Sequence, residues 1–255
     1  MFELIILPDE ISLVSAVMMA LVTTMTSFIS GALGIGGGTI LLGFLALLLP
    51  PTALIPIHAV LQFGSNSFRA LLLIKHVDYS VLLPFVLGSA IGSIVSGGLL
   101  IQLPVWLVQF GIAGFIVWTV FGAVPAIDRK HVVLAGSFSG FLTMLFGATG
   151  PFVSAFVKTL RLSRLEHIGT SSLMMTLQHG LKIGVFGVLG FNFGPYLLLL
   201  CVLLLCGMLG TALGRVALLK INESTFRKIL NIVLVVIAGR LVWSATALLL
   251  GESNG

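Results

Sequence analysis

The sequence has very little charge. Of its 255 residues, 8% are Asp, Glu, Lys or Arg and 58% are hydrophobic, which excludes a water-soluble globular domain. The charge that exists avoids three long stretches: none falls between Glu10 and Arg69, between Asp78 and Asp128, or between Lys182 and Arg215. Each stretch can hold one or more membrane crossings, since a crossing takes about 20 apolar residues. Cysteine is almost absent. Cys201 and Cys206 share one apolar run with no His or acid at ligand spacing, which leaves neither a disulfide framework nor a zinc site. A basic n-region is missing as well, because Glu3, Asp9 and Glu10 occupy the start, so the first apolar run is expected to stay in the mature protein. The formal charge of +5 comes from short clusters between apolar runs and forms no basic face for nucleic acid.

What is present is hydrophobic sequence punctuated by glycine. Gly, Pro and charge divide the chain into ten apolar segments near 12–33, 39–49, 53–74, 80–100, 105–124, 132–146, 151–160, 168–190, 193–214 and 229–249. The stretch 12–49 is broken by Gly34-Ile35-Gly36-Gly37-Gly38, and 132–160 by Gly147-Ala148-Thr149-Gly150-Pro151. The segments after these breaks are too short to cross ~30 Å of hydrocarbon at about 1.5 Å per residue, so they read as re-entrant half-helices.

Lys and Arg gather in cytoplasmic loops. If 12–49 is a hairpin that returns to its own side, then Lys75, Arg129, Lys130, Lys158, Arg161, Arg164, Arg215, Lys220, Arg227 and Lys228 all fall on one face. Both termini and the turns near 50, 102 and 191 fall on the other, expected to be periplasmic or extracellular. The expected fold is an all-α polytopic membrane protein, one domain over 1–255 made of two inverted-topology repeats, 12–124 and 132–249. Each repeat is a broken hairpin followed by three crossings. A shift of 113 residues pairs Phe28 with Phe141, Gly34 with Gly147, Gly37 with Gly150, Ile55 with Ile168 and Arg69 with Lys182. Identity at this shift is scarcely above what composition gives; the signal is that glycine breaks and intramembrane cations coincide at one offset.

A helix N-terminus inside the membrane offers unpaired N–H groups and the positive end of the helix dipole to an anion. Gly34, Gly36, Gly37, Gly38 and Thr39, with Gly147, Ala148, Thr149 and Gly150, are therefore the candidate binding residues, the glycines alternatively serving close helix packing. His58, Gln62, Asn66 and Arg69 share one helical face, and the matching helix of the second half carries Ser171, Gln178 or His179, and Lys182 at equivalent places. Polar groups at this depth are expected to face the interior or a water-filled path, with Arg69 near the inner mouth and Lys182 near the outer. Snorkelling to headgroups is the alternative for both cations. His179 is the one histidine nominated for proton coupling. All eight acids lie in loops or termini, so the cargo is expected to be an anion.

Ser30-Gly31-Ala32-Leu33-Gly34-Ile35-Gly36-Gly37-Gly38 resembles the first glycine signature of the TauE/SafE sulfite exporter family, also called the toluene sulfonate uptake permeases. Phe146-Gly147-Ala148-Thr149-Gly150-Pro151, followed by Ile168-Gly169-Thr170-Ser171-Ser172, resembles the second. The resemblance implies a transporter of the bacterial or archaeal inner membrane for sulfite, sulfoacetate or another small sulfur-containing or organic anion. Its expected partners are that anion and the bilayer, with a proton or sodium ion as possible coupling ion and a homo-oligomer as possible assembly; no cofactor or metal is expected. Thr149 stands where the first signature has glycine, so the two half-sites are not equivalent. An alternating-access carrier is the favoured reading and an anion channel along the same path the alternative. An enzyme is not expected, since the sequence has neither a Gly-x-Ser-x-Gly elbow nor His-Glu-x-x-His.

Overall fold

The computed structural model describes residues 7–8, 10–100, 104–122, 129–147, 149–217 and 223–250. Among the described residues there is no strand. Ten α-helices follow one another: α1 Leu13–Leu33, α2 Gly37–Leu45, α3 Pro51–Leu72, α4 Leu82–Leu100, α5 Val105–Phe121, α6 Val132–Phe146, α7 Gly150–Thr159, α8 Arg164–Val188, α9 Leu197–Ala217 and α10 Glu223–Leu249. Three stretches, Leu13–Leu33, Tyr79–Gly97 and Gly194–Ala217, are long and apolar enough to cross a membrane by length and composition. α2 and α7, of 9 and 10 residues, extend only about 13 and 15 Å.

Local chemistry sets the boundaries. The Ser12 hydroxyl accepts from the Ser15 N–H and starts α1, which ends at Gly34 with φ 82°. Gly36, at φ 97°, turns the chain into α2. α6 likewise stops at Gly147, φ 82°, a left-handed conformation that glycine adopts without a Cβ penalty. Pro51 and Pro151 occupy the first turns of α3 and α7, where a missing N–H costs nothing. α8 begins four residues before the apolar segment at 168 because Ser163 and Glu166 close a capping box in the polar cluster ahead of it. Hydropathy does not register that turn.

The packing is polar inside and apolar outside. Leu13, Val14, Val17, Leu21 and Met25 of α1 are exposed while Thr23, Thr26, Ser27 and Ser30 are buried. α4 exposes Leu83, Leu87, Ile91, Ile94 and Val95 and buries Ser89, Ser93 and Ser96. Such an arrangement has a lipid-facing exterior, because small and hydroxylated residues hold helices together where the hydrophobic effect between them is lost. Two glycine seams do this. On α4 and α6, a Cβ at Gly88, Gly92, Gly136 or Gly140 would overlap a backbone carbonyl of the facing helix, respectively Val133, Ser137, Phe85 and Ser89. On α1 and α9, a Cβ at Gly210 or Gly214 would overlap the Thr24 or Phe28 carbonyl, and one at Gly31 would lie 2.7 Å from the Thr211 carbonyl oxygen. α3 packs along α8, α9 also touches α3, α4 also touches α8, and α5 lies against α10.

Gly92→Val drives a branched side chain into the Ser137 carbonyl and should lower the thermal midpoint in detergent by well over 10 °C or abolish recovery of folded protein. Gly239→Ala, whose Cβ meets nothing within 4 Å, should leave the midpoint unchanged or raise it slightly, as an Ala in a helix is worth up to about 1 kcal/mol over Gly. Equal midpoints for the two variants would refute the seam.

Candidate functional site

Both breaks border one small cavity. The first contributes Ser30, Gly34, Ile35, Gly36, Gly38 and Thr39, and the second Thr149 and Gly150. α3 adds His58, Gln62, Asn66 and Arg69, and α8 adds Met175 and His179. The space open to the centre of a water molecule is about 20 Å³, room for roughly one water. No Asp or Glu lines it among the described residues.

The α3 side chains are ordered in series. Asn66 Nδ2 donates to the Gln62 carbonyl at 2.7 Å and to Gln62 Oε1 at 3.2 Å. Arg69 Nη2 donates to Asn66 Oδ1, and Arg69 Nε donates to Ser172 Oγ at 2.6 Å. The guanidinium is thus fixed on two of its nitrogens, while Nη1 is buried without a partner. His58 Nε2 donates to the Gly38 carbonyl at 2.9 Å; a carbonyl can only accept, so the proton resides on Nε2. The His58 and His179 rings meet edge to face with centroids 6.0 Å apart.

Four residues of this wall carry a buried side-chain atom with no hydrogen-bond partner from the protein: Thr39 Oγ1, His58 Nδ1, Arg69 Nη1 and His179 Nδ1. Only three other described residues, Thr23, Ser67 and Gln109, carry such an atom. A buried polar atom left without a partner costs about 1–3 kcal/mol, so this concentration marks a polar region that a bound water or ligand would satisfy. Among the described residues no group of three His, Cys, Asp or Glu could hold a metal.

Other candidate residues lie elsewhere. Lys182 is fully buried but does not line the cavity: its Nζ donates to the Gly147 carbonyl at 2.7 Å and the Thr143 carbonyl at 3.3 Å, satisfying the end of α6. Gln178 Oε1 accepts from Thr149 Oγ1 at 2.9 Å and its Nε2 donates to Ser139 Oγ at 2.8 Å, tying the second break to α6. Ser171 donates to the His167 carbonyl of its own helix. Gly37 and Gly147 also stay out of the wall. A Cβ on Gly37 would overlap the Thr26 carbonyl, and one on Gly147 would lie 2.6 Å from Leu42 Cδ1. Ala148 lies outside the described residues. Sequence reasoning missed Ser30, Ile35, Met175 and Ser172. The 113-residue shift held a signal for one of them, since it places Met175 opposite Gln62.

A family model described as Sulfite exporter TauE/SafE matches residues 19–241. The chain belongs to this family. No curated protein and no solved structure matches it. TauE/SafE membership and the apolar outer helix faces make the chain a multi-pass membrane protein of a transporter family. For a TauE/SafE protein the cavity has fitting chemistry: a fixed cation, an amide and a hydroxyl, and glycine backbone that a ligand can approach closely.

Lys182→Met deprives the Gly147 and Thr143 carbonyls of their donor and should cost about 1–3 kcal/mol, seen as a lower thermal midpoint with and without sulfite. A midpoint equal to wild type would show that these carbonyls do not depend on Lys182.

Proposed function

We propose that this chain is a secondary transporter of a small oxyanion, sulfite or an organosulfonate, that works by alternating access with the anion held between the two glycine breaks. The observation that carries this reading is a carboxylate-free cavity bordered by both breaks, four of whose lining residues, Arg69 among them, carry a buried polar atom without a protein partner. Arg69 Nη1 and the Thr39 hydroxyl donate to the anion, and Gln62 and Asn66 hold Arg69 at its angle. His58 and His179 need a proton on Nδ1 to donate, which gives His179 and its neighbour a place in coupling to protons. Lys182 contributes positive field from behind the second break while its hydrogen bonds stay with the α6 carbonyls.

The packing supports two inverted repeats over 12–124 and 132–249. Under the 113-residue shift α1 corresponds to α6, α3 to α8 and α4 to α9, and the contacts follow suit. α1 with α9 answers α6 with α4, and α3 with α9 answers α8 with α4. Short α2 and α7 are then the re-entrant half-helices, and motion of one repeat against the other opens the cavity to each face in turn. With the basic loops in the cytoplasm, both termini are external and the protein resides in an inner membrane. A cavity with room for about one water favours a carrier over an open channel.

In proteoliposomes Arg69→Gln should reduce sulfite flux at least tenfold while the purified variant stays folded; undiminished flux would sink the role of Arg69. Gly150→Ala adds a methyl group at ordinary contact, 3.5 Å from Met175 Sδ, and should weaken sulfite binding severalfold with little change in midpoint. Internal sulfite should accelerate uptake of external sulfite, whereas a channel shows no such exchange.

A further inference from the structure

A second cavity adjoins the first at Arg69. It is larger, with about 80 Å³ open to water centres, and it lies where α1, α3, α8 and α9 come together. Arg69, His76 and Arg215 supply its charge, and Leu72, Leu165 and Ile168 give it apolar walls. His76 and Arg215 are exposed at its rim, whereas Arg69 is only 4% exposed at its floor. The nearby acids Glu166 and Asp78 accept from the Ser163 N–H at 2.9 Å and the Ser80 N–H at 3.0 Å, and neither is part of the wall.

Arg69 is the only residue common to the two cavities, and its Nη1 is buried without a partner. Because Arg69 lines both cavities, its positive charge attracts an anion in either one. We propose that the Arg69–His76–Arg215 cavity is a second anion subsite, a vestibule on the basic face that exchanges its anion with the interior site across the shared Arg69 guanidinium. This rests on the transporter reading above and adds to it a place, a face and a residue outside the interior site. Arg215 and Arg69 hold the oxyanion between them, and the leucine and isoleucine walls keep competing water few. An anionic lipid headgroup has the same charge chemistry, but the floor is a buried residue of the interior site, which favours a small free anion.

The test uses full-length protein in inside-out and right-side-out vesicles of neutral lipid, with sulfite and sulfoacetate as probes. Arg215→Gln should raise the apparent KM at least threefold for anion offered on the face that bears Arg215. From the opposite face KM should change less than twofold. Arg215→Lys should restore less than half of the loss, because a point charge replaces a bidentate fork. Wild-type flux with no face-dependent change in Arg215→Gln overturns the vestibule and leaves the interior site standing. Absence of any wild-type flux or binding of either probe overturns the transporter reading and the vestibule with it. If added phosphatidylglycerol abolishes the face-dependent difference, the cavity belongs to a lipid headgroup and the proposal fails.

Discussion

A helix that stops inside a membrane leaves carbonyl and N–H groups that lipid cannot satisfy, each at a cost of several kcal/mol. Two helices of this chain stop at glycine, α1 at Gly34 and α6 at Gly147, and polar side chains of α3 and α8 gather at both stops. His58 donates to the Gly38 carbonyl, Lys182 to those of Thr143 and Gly147, and Gln178 accepts from Thr149. α3 and α8 are thus the long helices that brace the broken ones. The buried side-chain atoms without a protein partner belong in the main to residues around the cavity that both breaks border.

The two breaks are braced by different chemistry. The His58 imidazole serves the first and the Lys182 amine the second, although Arg69 and Lys182 pair at the 113-residue shift. Arg69 turns instead to Ser172 and Asn66 and keeps a nitrogen free beside the cavity. One of the two side chains is therefore bound to backbone carbonyls and the other to side chains, with Nη1 left without a protein partner. The Thr149 position adds to this inequality, since its hydroxyl is spent on Gln178 while that of Thr39 is not. A ligand held there, as proposed, meets two unlike walls.

The fold was largely legible in the sequence because two signals reinforced each other: long charge-free runs gave the helices, and glycine with proline gave their ends. The structure moved α2 to begin at Gly37 rather than 39 and α8 at Arg164 rather than 168, in both cases because capping geometry and not hydropathy sets a helix start. The α3 stripe of the site could be read from spacing alone, as His58, Gln62, Asn66 and Arg69 must share a face and each is costly in lipid. The α8 stripe was less legible. Lys182 and Gln178 have the same polarity and depth as their counterparts, and only three-dimensional packing shows that their partners are carbonyls and serines of other helices. Similarly, Gly37 and Gly38 are indistinguishable in sequence, yet one lies against the Thr26 carbonyl and the other against the cavity.

The glycine seams have a consequence for biogenesis. α1 finds its tight partner in α9, and α4 finds its own in α6, so the first helix inserted waits for one of the last. About 160 residues separate the end of α1 from the start of α9. At the usual pace of synthesis that is on the order of ten to thirty seconds during which α1 presents a row of threonines and serines to lipid. The nascent chain therefore needs an interim shelter for that face, in the insertion machinery or against a neighbouring helix, before the second half arrives to replace it.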